Sequence, residues 1–299
     1  MIRSLIIQIV FGVAVLGSAT SGLNAQDRVW LEPLRPAKSD STWFARSIKQ
    51  IDGKITQLDN KQLRFVVAGD EAETLAASHR VIWIESAGAS KTEVAAMKLF
   101  ADGQYAESLR PLLDSLNEKP PIWRQQWLSM MASVAASRGS NGKISLELVA
   151  QLDSRPLAPL ILAWLPIHWD SSADSRAIAA AASERLTDKS AAVRLVAASW
   201  LLSSPQRDKA IAALDRLVLE NQRPVVARLA EIVRWRSATP PQIKQQADQW
   251  QARVAELPIV LQNGPNQTLI DRFQTAGLKP RAEKLRLSRE LNSVAPILK

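Results

Sequence analysis

Arg80-Val81-Ile82-Trp83-Ile84-Glu85-Ser86-Ala87-Gly88-Ala89-Ser90-Lys91-Thr92-Glu93-Val94 is the stretch in which this chain changes its period. Up to Glu85 apolar residues crowd into a short β-branched and aromatic run, the pattern of a strand. Ser86 to Ser90 are small, turn-forming residues. From Thr92-Glu93 onward apolar positions recur at three and four, beginning with Val94, Met97, Leu99 and Phe100. A small β region therefore ends near Ser86, and a helical region occupies 90–299.

Working toward the N-terminus, Ile51 to Leu58 and Leu63 to Val67 flank Asp59-Asn60-Lys61, which reads as a hairpin turn with Asn60 at positive φ. A third strand is expected at Glu73-Thr74-Leu75, then a single helical turn over Ala77-Ser78-His79, then the strand that ends at Glu85. So many short strands in residues 43–86 are expected to close into a small barrel, Sm-like or Src-homology-like, because closure removes open edges. Residues 26–42 carry Pro33 and Pro36 and read as an extended lead-in. Residues 1–25 have one charge at Arg3, an apolar run and a small-residue exit, the pattern of a signal peptide cut after Ala25. The alternative is an uncleaved anchor, against which Gln8, Ser18, Thr20 and Ser21 interrupt the run. The expected location is the periplasm, the cell envelope or the exterior.

Toward the C-terminus, Asp102-Gly103-Gln104-Tyr105 reads as a tight turn between helices, and Pro120-Pro121 ends the second helix. Trp123–Ala136 is the next helix. Others are expected at 143–152, 157–165, 174–187, 190–203, 206–220, 223–236, 240–255, 266–276 and 281–294. Val193-Arg194-Leu195-Val196-Ala197 returns 34 positions later as Ala227-Arg228-Leu229-Ala230-Glu231, followed in turn by Trp200 and Trp235. A period of that length marks stacked helical hairpins, so the expected fold is mainly α, with an α-solenoid of tetratricopeptide- or HEAT-like hairpins after the barrel.

Ala101-Asp102-Gly103-Gln104-Tyr105-Ala106-Glu107-Ser108-Leu109, ending at Pro120, resembles the second half of a tetratricopeptide repeat. Over about 90–270 the chain resembles a family of exported, tetratricopeptide-like planctomycete proteins of unknown function. The resemblance is carried by Pro121-Ile122-Trp123-Arg124, Pro159-Leu160 with Trp164, and Ala198-Ser199-Trp200-Leu201-Leu202. Arg207 with Ala210-Ile211, Arg228-Leu229-Ala230 with Arg234-Trp235-Arg236, Trp250 with Leu257-Pro258, and Asn263-Gly264-Pro265 complete it. It implies no catalytic residue.

The 299 residues include no Cys and two His, which excludes disulfides, thiolate metal sites, iron–sulfur clusters and multi-histidine metal sites. No cofactor is implied. The net charge of +9 is spread along the chain without a basic block, which argues against nucleic acid. His168, beside Trp169 and Asp170, admits two readings: a general base oriented by Asp170, or a residue that holds a turn. The second is favoured, since neither a nucleophile motif nor a phosphate loop accompanies it. His79 reads as part of a turn. Trp164, Trp200, Trp235 and Trp250 lie among Leu, Val and Ala at helical spacing and are expected in the core; Trp30 and Trp43 are left open.

Arg194 and Arg228, one repeat apart, suit either an internal ladder with carboxylates such as Asp188 or, with Arg236, a basic stripe that meets an acidic partner. The ladder is favoured. The expected function is a non-enzymatic, exported protein-interaction or scaffolding protein with a helical-repeat surface. A cell-envelope polysaccharide-binding module comes second and a hydrolase third.

Overall fold

The computed structural model describes residues 26–33, 48–170, 176–220 and 223–291. The expected signal segment at 1–25 and Trp43 lie outside the described residues. The chain is mainly helical, with one small five-stranded antiparallel sheet on its N-terminal side.

The strands are β1 (Asp27–Leu31), β2 (Lys49–Leu58), β3 (Gln62–Val67), β4 (Glu73–Ala77) and β5 (Val81–Glu85), in the order β4-β3-β2-β1-β5. Three expectations need correction here. β1 falls in the segment read as a lead-in, yet it is an interior strand, paired with both β2 and β5. Its alternation is sound, with Val29 and Leu31 buried, but five residues followed by Pro33 are too short for period two to stand out. The hairpin turn is not built on a left-handed Asn60, which has no positive φ. Instead Asp59 Oδ1 accepts the amides of Lys61 at 2.7 Å and Gln62 at 2.9 Å. Burial pushes the Asp59 carboxyl up, but these amides and Gln57 outweigh it and leave it below the ordinary value.

The third correction concerns closure. Among the described residues β4 pairs only with β3 and β5 only with β1, so the sheet is open and no barrel closes. Helical-region segments take the place of the missing ladder. A short helix, Pro159–Leu162, and a 3-10 turn, Ile259–Leu261, both pack on β5 and on the 3-10 turn Ser78–Arg80. Gly53 marks how tightly the sheet interior is packed: a Cβ there would sit 2.3 Å from the Val66 carbonyl oxygen.

Twelve α-helices follow among the described residues: α1 (Lys91–Ala101), α2 (Tyr105–Asn117), α3 (Ile122–Arg138), α4 (Gly142–Leu152), α5 (Pro159–Leu162), α6 (Arg176–Ser183), α7 (Ala191–Leu201), α8 (Arg207–Leu219), α9 (Pro224–Arg234), α10 (Pro240–Ala255), α11 (Asn263–Thr275) and α12 (Lys279–Leu291). Their ends follow local chemistry. Ser90 and Ser190 cap α1 and α7 by accepting the amides of Glu93 and Val193, each at 3.1 Å. Gly103 supplies the positive φ that the α1–α2 turn requires. α5 is far shorter than the expected 157–165: it begins at Pro159, and after Leu162 its hydrogen bonds tighten to turns, Trp164 to Ile161 and Leu165 to Leu162. α11 starts at Asn263 rather than near 266, since Pro265 is tolerated in a first turn.

Sequential helices pack on one another: α1 on α2, α2 on α3, α3 on α4, α7 on α8, α8 on α9, α10 on α11 and α11 on α12. In a solenoid each repeat touches only its neighbours. Here α7, α9 and α11 pack in succession, as neighbouring hairpins would, but the turn after α10 returns to the sheet at the other end of the chain. Sheet and helices consequently share one continuous apolar core, from Val29 to Ala282. A row of edge-on aromatic contacts runs through their junction: Trp83 to Trp127 at 5.6 Å, Trp127 to Trp164 at 5.6 Å and Trp164 to Phe100 at 6.0 Å.

Candidate functional site

After α5 the chain turns through Ala163–Leu165 and then runs without helix or strand from Pro166 to Trp169, with Pro166 and Ile167 buried and His168 and Trp169 half-buried. This strap has no helical ladder to satisfy its main-chain groups, so side chains from three other elements do so. The Pro166 carbonyl accepts from Trp200 Nε1 at 2.7 Å. The His168 amide donates to Ser199 Oγ at 3.1 Å, and its carbonyl accepts from Arg236 Nη1 at 2.7 Å. The Trp169 carbonyl accepts from Thr268 Oγ1 at 2.8 Å. Arg236 Nη1 also reaches the Ser199 carbonyl at 2.8 Å, and the Arg236 carbonyl accepts from Arg272 at 2.9 Å. α7, the turn Trp235–Ser237 and α11 are thereby fastened to one another through the strap.

Beside the strap lies a cavity of 290 Å³, at the lower end of the ~300–1,000 Å³ typical of ligand sites. Its floor is apolar, with Val134 from α3, Leu162, Leu165, Leu229 from α9 and Leu261. Its rim is polar: Arg138 at the end of α3, His168, Asp170, Gln267 from α11 and Arg289 from α12. Arg289 donates to the Gln267 side-chain oxygen. Trp169 forms one wall, pressed so closely on α11 that a Cβ on Gly264 would stand 2.2 Å from its ring nitrogen. Behind the rim, burial pushes the Asp271 carboxyl up; the Gln267 hydrogen bond opposes this, and the nearby Asp170 charge adds to it.

The residues read from sequence as a partner surface are used differently. Arg194 forms a two-pronged pair with Glu220, both contacts at 2.6 Å, and this hydrogen bonding holds the Glu220 carboxyl below the usual range against the opposing effect of burial. Arg228 meets Glu231 at 3.4 Å and Glu256 at 3.8 Å. Glu220 and Glu256 are the residues that end α8 and α10, so each arginine reaches the end of the following helix. Internal pairing is thus correct in kind, but Asp188 is not the partner. It pairs with Arg185 at 2.9 Å and accepts the Ser190 amide. Arg236 belongs to no surface stripe: it is 8% exposed and holds the strap.

Trp164, Trp200, Trp235 and Trp250 are all buried, the last two stacked at 4.6 Å. The His168 ring lies 5.9 Å from that of Trp200, and His79 sits in the expected turn before β5. The sequence reading missed Arg138, Gln267 and Arg289. They come from three helices and meet only because the chain folds back, and no local signal marks them. Among the described residues no group of three or more His, Cys, Asp or Glu is placed to hold a metal, and no helix is long and apolar enough to cross a membrane. No family model matches the chain, and no curated protein or solved structure is significantly similar to it.

Proposed function

We propose that this chain is a non-enzymatic, exported interaction protein whose strap-side cavity takes an acidic segment of a protein partner. An apolar side chain would lie on Val134, Leu162 and Leu229, and a carboxylate would meet Arg138 and Arg289. The observation that carries this reading is the joining of an apolar floor and a rim with two arginines, Arg138 and Arg289, beside one carboxylate, Asp170, along a wall fixed by four hydrogen bonds. A wall already fastened loses little freedom on binding, which favours affinity. With it go three companion proposals: export by cleavage after Ala25, membership of the tetratricopeptide-like planctomycete family, and a tetratricopeptide- or HEAT-like run of repeated hairpins after the sheet. The matched pairs Arg194–Glu220 and Arg228–Glu256 support the repeat.

Fluorescence polarisation with labelled Asp/Glu–Leu peptides tests the cavity. Arg138→Glu and Arg289→Glu should each weaken peptide binding at least tenfold, and added salt should weaken it further. Equal binding by wild type and both variants would refute this use of the cavity. Trp169 on the cavity wall keeps polysaccharide as the second reading. Retention of a neutral glycan on an array, lost in Trp169→Ala but indifferent to Arg138→Glu, would replace the first reading with the second.

A further inference from the structure

The two edges of the sheet are treated differently. At one, α5 and the 3-10 turn Ile259–Leu261 pack on β5. At the other, β4 pairs with β3 alone among the described residues, so the main-chain groups on its outer side have no ladder partner. Glu73, Thr74 and Leu75 are exposed, Leu75 by 59%, while Ala76 is buried. An open edge is a template for another strand, and proteins commonly blunt one with lysine, proline or a bulge. Glu73-Thr74-Leu75-Ala76-Ala77 holds neither residue, and its register with β3 runs without a shift. At five residues it is as long as β1 and β5.

Charges about β4 are sorted along its direction. Before it stand Asp70 and Glu71, both exposed. After it stand His79, exposed, and Arg80, anchored through Nε to the Glu32 carbonyl at 2.8 Å. Lys61, also exposed, belongs to the Arg80 end, because its carbonyl accepts the Ser78 amide at 3.0 Å. Asp59, near that end, already accepts the Lys61 and Gln62 amides and the Gln57 side chain. Glu73, within the strand, is likewise engaged, with Thr56 at 2.6 Å and Arg64 at 3.4 Å. A strand with an acidic flank at one end and a basic flank at the other is complementary to its own reversed copy.

We propose that β4 pairs antiparallel with β4 of a second copy of this chain, across a two-fold axis, joining the two sheets into one. The register that pairs the whole strand centres on Leu75. Leu75 then faces Leu75 of the second copy, Thr74 faces Ala76, and Glu73 faces Ala77. No like charges stand opposite each other, and an exposed leucine is covered. Beyond the strand, the Asp70–Glu71 flank of each copy comes against the Lys61 and Arg80 flank of the other, a match that the two-fold makes twice. Main-chain hydrogen bonds across the edge supply the affinity. A five-residue ladder is a small interface, so the dimer forms reversibly. The assignment is independent of the acidic-peptide reading of the cavity.

Sedimentation equilibrium of the full chain tests it. A monomer–dimer equilibrium is expected, weakened by added salt. Leu75→Lys and Leu75→Glu each set like charges on the axis and should weaken dimerisation at least tenfold, with melting curves that match wild type because the site is exposed. Mixing the two variants should restore the dimer, since opposite charges then meet. The chain has no Cys, so Leu75→Cys carries a single thiol. A short bis-maleimide should join two such copies but not two of Val94→Cys, almost as exposed at 58%. Arg138→Glu should dimerise as wild type does, which separates this surface from the peptide cavity. A chain that is monomeric at every concentration, as when the edge serves a strand of another protein, overturns the proposal. So does a dimer that Leu75→Lys leaves intact, or a mixture of the two charge variants that stays monomeric.

Discussion

Along the outer hairpins Arg194 meets Glu220, and Arg228 meets Glu231 and Glu256, side chain to side chain and partly in water. At the strap, Trp200, Ser199, Arg236 and Thr268 all reach main-chain groups in the interior. When an outer pair is broken, water can solvate what remains, so each such pair contributes little. At the strap water has less access, and a lost donor strands a carbonyl that is buried or partly buried. The arginines that repeat at one-hairpin spacing therefore matter less for stability here than Arg236, which does not repeat.

The sharpest way to break that contrast is Arg236→Ala. It leaves the His168 and Ser199 carbonyls without this donor and should cost about 3–5 kcal/mol. In a chain of this size that lowers the melting temperature by roughly 10 °C. A calorimetric melt unchanged within a degree would mean that the strap is not what holds the centre together. Gly264→Ala comes next, because its new methyl must displace the Trp169 ring. Overpacking of this kind should cost about 1–3 kcal/mol, visible as a shifted urea midpoint.

Smaller effects test the hairpins. Arg194→Ala should cost about 1 kcal/mol, since Glu220 is 39% exposed and water recovers part of the loss. Arg228→Ala should stay within about 0.5 kcal/mol, its contacts being longer and Glu256 being 63% exposed. Equal costs for the two would contradict their unequal geometry. pH gives the last and mildest test. Because the folded Glu220 carboxyl lies below its ordinary 4.5, its contribution is present above that value and is lost as pH falls through the folded one. The stability difference between wild type and Arg194→Ala should accordingly shrink on acidification, which paired denaturation curves at neutral and acidic pH would show.

The same contrast separates what could be read in the sequence from what could not. Ser90 before Thr92-Glu93, the glycine of Asp102-Gly103-Gln104 and the recurring arginines act within one turn or one hairpin, and their local spacing is informative. β1 was hidden because five alternating residues beside Pro33 carry too little pattern, and only pairing on both edges makes them a strand. The turns that lead into the strap are expected as helix, because Leu, Ile, Ala and Trp over 157–165 look the same in a buried helix as in a buried irregular segment, and the strap itself, 166–169, falls between expected helices. Its fastenings come from residues 31 to 99 positions away. The Arg138–Gln267–Arg289 rim shares that difficulty.

The strap also dictates an order of events. Its four fastenings come from Ser199, Trp200, Arg236 and Thr268, all later in the chain than the segment they hold. A chain emerging from its N-terminus can form the α1–α2 and α2–α3 hairpins early, but Pro166–Trp169 gains its first fastenings only with α7 and its last only with α11. Contacts of such sequence separation close slowly and together rather than one by one. Truncation before Thr268 should thus do more than shorten the molecule: it should leave its middle unable to settle.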